Sequence, residues 1–220
     1  RRPPRSTPLY SSAASDVYKR QVENMRPGVK HRLQVDYETL KDVNPAIIYA
    51  SISGFGQTGP YAERPCLDQI AQGMGGHMMV TGDATTGPMR SGAAISDMMA
   101  GVLCANGIVL ALLEREKSGA GQWVQTSLLE AMVFLLDFQA ARWLVDGEIP
   151  PQAGNHHPTI APMGAFRTRD GFINIAPMPD HWPRFCQTLS LDGLMDDPRF
   201  ASFEARYENR ADLIPVSYTH

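Results

Sequence analysis

Cysteine is scarce in this 220-residue chain, and the three present, Cys66, Cys104 and Cys186, lie far apart. They form no CxxC pair, which excludes a disulfide-stapled scaffold and a cysteine-rich zinc module. Such usage fits a reducing compartment, and a cytoplasmic protein is expected. Long apolar runs are also missing. No unbroken run approaches the roughly 18 residues of a membrane span, and the first residues carry no signal-peptide apolar region, so no membrane partner is expected. Positive charge is not in excess: the net charge is −3, which argues against a nucleic-acid partner. There is no Walker loop and no GxSxG elbow. His156-His157 has no Cys or acidic cluster beside it, so no metal is expected and the pair reads as part of a solvated linker. What remains, 43% hydrophobic and 20% charged without repeats, is a globular composition rather than a collagen-like, coiled-coil or disordered one.

The two ends read as foreign to the rest. Residues 16–21 are Asp-Val-Tyr-Lys-Arg-Gln, and one coding of them, read on the opposite strand in a shifted frame, gives Val-Ser-Tyr-Thr-His, the last five residues of the chain. One short DNA element in two orientations accounts for both, and it resembles a transposase end used in sequencing libraries. Residues 1–21 and 215–220 are therefore expected to be adapter-derived tails. The first tail carries a net +4, so residues 22–214 sum to −7. On this reading the native part begins and stops within a gene.

Between the tails, Ala46–Ser53 is a short apolar run bounded by Asn44-Pro45 and Gly54 and predicts a buried strand. A loop is expected over 53–65, a short helix over 67–80 that frays at Gly73, Gly75 and Gly76, and another loop over 82–92. The strongest helical signal covers about 98–116, apolar nearly all round and so expected to be buried, with Ser118-Gly119 as its stop. A strand over 122–127 and a helix over 127–145 follow. Strand, helix, strand, helix points to an α/β layered domain. Pro150, Pro151, Gly154 and Pro158 then mark a linker. Beyond it, a hairpin over 164–176 turning at Arg169-Asp170-Gly171 and helices over 180–190 and 201–213 form a small α+β unit.

Gly54-Phe-Gly-Gln-Thr-Gly59 matches GxGxxG after a predicted strand, but Pro60 and Arg64-Pro65 deny it the helix a dinucleotide loop needs. A tight turn beside a cleft is the better use of these glycines. Asp97 stands near the start of the long helix. Such a carboxylate is commonly an N-cap. The same place favours an ionised carboxylate that can serve as a covalent nucleophile, and Gly92, Ala93, Ala94 and Gly101 leave room around it.

Several phrases, taken in order, resemble the class III CoA-transferase family, which includes formyl-CoA transferase, carnitine CoA-transferase and the alpha-methylacyl-CoA racemases. They are Glu23-Asn-Met-Arg-Pro-Gly28, Asn44-Pro45 with Ile47-Ile48-Tyr49, Ser51-Ile-Ser-Gly-Phe-Gly-Gln-Thr-Gly-Pro60, Asp68 with Gln72, the Asp97 segment, Leu110-Ala-Leu112, Gly119 to Gln122, Asp170-Gly171, Asp197-Pro-Arg-Phe200 and Asn209-Arg210. The resemblance spans 22–214.

It implies an α/β fold with a Rossmann-like large domain, incomplete here over 22–147, a linker over 148–163, and part of a small α+β domain over 164–214. Parts of the large domain at both ends would lie outside this chain, and two full-length chains would interlock as a homodimer. Coenzyme A is implied as part of the substrate, with an acyl-CoA and a free carboxylic acid as partners. Asp97 would attack the thioester to give a mixed anhydride and CoA thiolate, and the acyl exchange would proceed through an aspartyl-CoA thioester to the incoming acid. Asn24, Met25, Arg26, Arg32 and the stretch Arg64, Pro65, Cys66, Leu67 would contact CoA. Backbone amides at the head of the Asp97 helix are expected to stabilise the oxyanion.

Two departures bear on the reaction. Racemases of the family place a His thirty residues before the aspartate, where this chain has Leu67, and their later acidic residue falls near Pro179. Without acid–base groups the α-carbon proton cannot be exchanged, which favours transfer over racemisation. Formyl-CoA transferases have a Tyr at the Leu67 position, which puts an oxalate or formate substrate in doubt. An apolar Leu67 suits a larger or less polar acyl group.

Overall fold

A computed structural model describes residues 20–217, with side chains through Pro215. Residues 1–19 and 218–220 of the expected tails therefore lie outside the described residues. The chain divides into two compact units, one running to Met78 and resuming over Arg90–Asp146, the other made of Met79–Met89 and the residues from Gly147 on.

The first unit is built on a parallel three-stranded sheet. β1 (Arg20–Glu23) pairs with β2 (Ile48–Ser53), and β2 pairs with β3 (Trp123–Ser127), so β2 is central. Ile48 to Ser51 are fully buried, as expected of a strand covered on both faces. Arg20 and Gln21, assigned from sequence to the foreign tail, extend β1 opposite Ile48 and Tyr49. A ladder uses only backbone N–H and C=O groups, so it constrains residue identity weakly.

The β1–β2 crossover holds two helices that no sequence signal predicted, α1 (Pro27–Leu33) and α2 (Tyr37–Val43). Pro27 opens α1, where its missing N–H costs nothing, and the Asp36 side chain accepts from the Thr39 N–H at 3.2 Å to cap α2. The second crossover holds α3 (Asp68–Met74), the short α4 (His77–Val80) and α5 (Ile95–Ser118). The expected 67–80 helix is thus two helices, parted at Gly75-Gly76.

α5 departs from its predicted burial. Its buried residues are the small ones, Ser96, Ala100, Cys104 and Ala111, whereas Met98, Val102, Val109, Leu110 and Leu113 are exposed. Close approach to the sheet explains this: a Cβ on Gly107 would lie 2.6 Å from Val124 Cγ1, so the packed face admits only small side chains. By length and composition α5 could also cross a membrane, which a search for unbroken apolar runs does not detect. In the structure it packs against β2, β3 and α3.

After β3, α6 (Leu128–Leu135) starts at Ser127, whose hydroxyl accepts from the Glu130 N–H at 3.1 Å. The helix predicted over 127–145 breaks at Asp137, which takes φ +49°. A short α7 (Phe138–Ala141) and one π turn (Arg142–Asp146) follow.

The second unit has an antiparallel hairpin, β4 (Gly164–Arg167) with β5 (Phe172–Ile175), close to its predicted place. Helices α8 (Trp182–Thr188), α9 (Phe203–Glu208) and α10 (Arg210–Ser217) follow, around a core of Trp182, Cys186, Leu191, Phe200 and Leu213. Residues 79–89 join this unit through Gln152, whose Nε2 donates to the Thr81 and Gly87 carbonyls at 2.6 and 2.7 Å. His156 and His157 are half-buried and not a solvated pair. The His157 Nδ1 accepts from the N–H groups of Thr159 and Ile160, and burial holds both imidazoles below their usual pKa.

Candidate functional site

In an open parallel sheet, ligands collect beyond the carboxyl ends of the strands. Here those ends are Glu23, Ser53 and Ser127, and the segments leaving them carry much of what the sequence singled out.

Beyond β1, the backbone turns at Asn24 and Met25 into α1. Glu23 holds this turn from below. Its Oε2 accepts from the Met25 N–H at 2.7 Å, and its Oε1 accepts from Lys30 Nζ at 3.0 Å. Lys30 and Glu23 are both buried. Lys30 Nζ also donates to Ser51 Oγ at 3.1 Å and to Gln57 Oε1, and it lies 4.9 Å from the Trp123 ring centre. Ser51 Oγ donates to Glu23 and accepts from Trp123 Nε1 at 2.9 Å. One buried ammonium thereby joins the ends of β1 and β2 and the glycine loop after β2. Sequence reasoning missed Lys30, because a lone lysine in a short helix carries no sign of burial.

Beyond β2, no helix follows Gly59, as Pro60 and Pro65 led us to expect. Gly56 and Gly59 take φ +95°. Gly54 is pinned between two elements. Its carbonyl accepts from the Leu129 N–H at 3.1 Å, and a Cβ there would stand 2.2 Å from Cys66 Cβ. That contact brings the Arg64–Leu67 stretch under the glycine loop. A Cβ at Gly28 would lie 3.6 Å from Glu63 Oε2, so the same stretch also approaches the head of α1. Arg26, Arg64, Pro65 and Leu67 are exposed, and Arg64 stacks over the Tyr61 ring at 4.1 Å. Arg32 is exposed in the last turn of α1, about 9 Å along the helix axis from Arg26. No hydrogen bond, ion pair or ring contact joins Arg32 to the other sequence-chosen residues among those described.

Asp97 is the third residue of α5 and not its cap. The N-cap position is Ala94, which has no side-chain acceptor. The cap comes from another helix: Asp68 Oδ1 accepts from the Ser96 N–H at 3.1 Å and from Ser96 Oγ at 2.9 Å. Asp97 is consequently exposed, and its carboxylate makes no hydrogen bond or ion pair among the described residues. Burial of its surroundings, and then the Asp68 charge, push its carboxyl above the usual range. Burial and the Asp97 charge likewise raise the Cys66 thiol, which places Cys66 within electrostatic reach of Asp97. The expected amide-lined oxyanion site is narrower than the sequence implied. The N–H groups of Ile95, Ser96 and Met98 are already bonded to Ala93 O, Asp68 and Ala94 O.

Asp68 and Gln72, noted in the sequence only as parts of a phrase, prove to be buried neighbours of this helix head. No described group of three or more His, Cys, Asp or Glu could hold a metal.

Comparison with known proteins places the chain in a family. The profile of CoA-transferase family III matches residues 13–216. A succinate–glutarate CoA-transferase of Agrobacterium fabrum is 37% identical over 199 residues, 90% of this chain and 50% of that protein. An acetyl-CoA:oxalate CoA-transferase of Acetobacter aceti is 40% identical over 193 residues, 87% of this chain and 50% of that protein. The crystal structure of a CAIB/BAIF family protein from Brucella suis superposes with a TM-score of 0.77 at 38% identity, covering 91% of this chain and 53% of that one. The chain thus spans about half the length of the relatives it matches.

Proposed function

The chain belongs to CoA-transferase family III, and from that premise we propose that it carries the nucleophile and part of the cofactor site of an enzyme moving CoA from an acyl-CoA thioester to a free carboxylic acid. The observation that carries this reading is the exposed, unbonded Asp97 carboxylate at the head of α5. Because Asp68 does the capping, Asp97 is free for chemistry.

An Asp97 oxygen attacks the thioester carbonyl, and the C–S bond breaks to release CoA thiolate and leave a mixed anhydride. The thiolate then attacks the Asp97 carbonyl of that anhydride, freeing the donor acid and forming an aspartyl-CoA thioester. The acceptor carboxylate attacks this thioester to form a second anhydride, and the released thiolate takes the acceptor acyl group, which regenerates Asp97. Each step exchanges one acyl bond for another, so the thioester's energy is retained as long as water is kept out. A raised carboxyl pKa makes the ionised oxygen a stronger nucleophile. The matched relatives are named for succinate, glutarate and oxalate, which favours a short dicarboxylic acid among the substrates over the larger or less polar acyl group that Leu67 suggested.

Asn24, Met25, Arg26 and the 64–67 stretch are the proposed CoA contacts, with Arg26 and Arg64 supplying guanidinium groups for phosphate. Arg32 joins them in this reading, farther along α1. Mass spectrometry after incubation with acyl-CoA thioesters tests the nucleophile: an acyl or CoA adduct on the Asp97 peptide is expected, and none in Asp97→Ala. An adduct that persists in the alanine variant removes Asp97 from the reaction. In calorimetric titration with CoA, Arg26→Ala and Arg64→Ala should each weaken binding about ten-fold. Unchanged affinity would take both arginines out of the cofactor site.

A further inference from the structure

Helix α3 starts directly after the 64–67 stretch, and two of its buried residues, four apart on one face, both reach the segment that leads into α5. Asp68 Oδ1 receives the Ser96 N–H and hydroxyl. Asp68 Oδ2 receives Gln72 Nε2 at 2.8 Å and Arg90 Nη2 at 3.4 Å. Gln72 Oε1 receives the Ser91 N–H at 2.8 Å, and Gln72 Nε2 also reaches the Ala93 carbonyl at 3.4 Å. Residues 90–96 are therefore gripped along their length by one turn of α3, and Asp97 is the next residue.

We propose that Asp68 and Gln72 are positioning residues that fix the Asp97 carboxylate relative to the 64–67 stretch, so that the thioester bound beside that stretch meets the nucleophile at one distance. The proposal rests on the reading of Asp97 as nucleophile. Its physical basis is the transfer of the capping task. An alanine at the N-cap offers the Ser96 amide no side-chain acceptor, and a first turn left so would fray. An acceptor from α3 both stops the fraying and ties the turn to the helix whose N-cap is Leu67. Neither residue touches substrate in this scheme; both act through the backbone that carries Asp97.

Amide hydrogen exchange on the whole chain tests the clamp without requiring turnover. Asp68→Ala should speed exchange at residues 96–98 about five-fold, the loss expected for a missing cap, and leave residues 108–112 in the middle of α5 protected. Gln72→Leu should speed exchange at Ser91 and spare 96–98. Unchanged exchange at 96–98 in a folded Asp68→Ala variant overturns the proposal. If that variant loses protection at 108–112, it has failed to fold, and Asp68→Asn decides. Asparagine keeps an oxygen for Ser96 but turns an amide toward Gln72 and Arg90, so exchange at 96–98 should rise less than five-fold above the native rate. No rise there overturns the clamp.

In transfer assays Asp68→Asn should lower kcat and hold KM for acyl-CoA within about two-fold, because only the nucleophile's placement changes. A raised KM with unchanged kcat would make Asp68 a binding group and refute its positioning role. Absence of transfer in the native chain would count against the proposed function alone, and the exchange measurement would still judge the clamp.

Discussion

The turn after β1 and the head of α5 each rest on a buried carboxylate, Glu23 and Asp68, and the two are satisfied in opposite ways. Glu23 faces a cation: Lys30 is buried against it, and Ser51, Trp123 and Gln57 take up the remaining donors and acceptors. Asp68 faces mainly neutral donors, the Ser96 amide and hydroxyl and the Gln72 amide, with Arg90 farther off and 43% exposed. The first arrangement closes on itself and leaves a rigid turn whose outer side chains, Asn24 and Arg26, stay exposed. The second leaves a free carboxylate one residue beyond the one it holds. A closed ion pair builds a platform, whereas a carboxylate spent on backbone donors releases its neighbour.

Breaking the platform should be the costlier act. Lys30→Met strands Glu23 in a dry environment, and removing one member of a buried pair costs about 3–5 kcal/mol. Urea unfolding of the chain should show that loss. A cost below about 1 kcal/mol would mean that water reaches Glu23, and the contrast with Asp68 would disappear. Asp68→Ala should cost less, about 1 kcal/mol, because the donors it strands are neutral and lie at a helix end where water can replace it. Equal costs for the two substitutions would show that charge type does not separate the sites.

How much of this was legible depends on how far the determining contacts lie along the chain. β2, α5 and the hairpin announce themselves locally, through a short apolar run, a long stretch apolar nearly all round with a glycine stop, and an Asp-Gly turn. Asp97 was singled out because its phrase has a family likeness, and the lack of a helix after Gly59 followed from Pro60 and Pro65. The cap on α5 was not legible. Asp68 lies 28 positions before Ser96, and no local rule connects them. Lys30 was missed for the same reason, since its partners span Glu23 to Trp123. The exposed stripe of α5 was misread because apolar composition does not say which face meets the sheet; the small residues Ala100, Cys104, Gly107 and Ala111 carried that information. The break at Asp137 went unseen because an aspartate gives little local warning of a positive φ.

The smallest effect sharpens the comparison most. Burial, followed by the Asp68 charge, holds the Asp97 carboxyl above its ordinary range, so the folded chain keeps that proton to higher pH than the unfolded chain does. As pH rises from the ordinary carboxylate value toward the raised one, the unfolded state has already released the proton and the native state has not, and stability therefore falls across that interval. Asp97→Asn has no proton to release and should lack this fall, making it slightly more stable than the native chain at neutral pH. Melting temperatures of both proteins from about pH 3 to about pH 8 give a difference curve that isolates Asp97 from the other carboxyls. A flat difference would show that neither burial nor Asp68 acts on this carboxylate, and the head of α5 would then be an ordinary solvated helix end. A difference that grows in favour of Asp97→Asn as pH rises, and shrinks when Asp68→Asn is added, would identify Asp68 as the group that holds the helix head and also disfavours the charge on it.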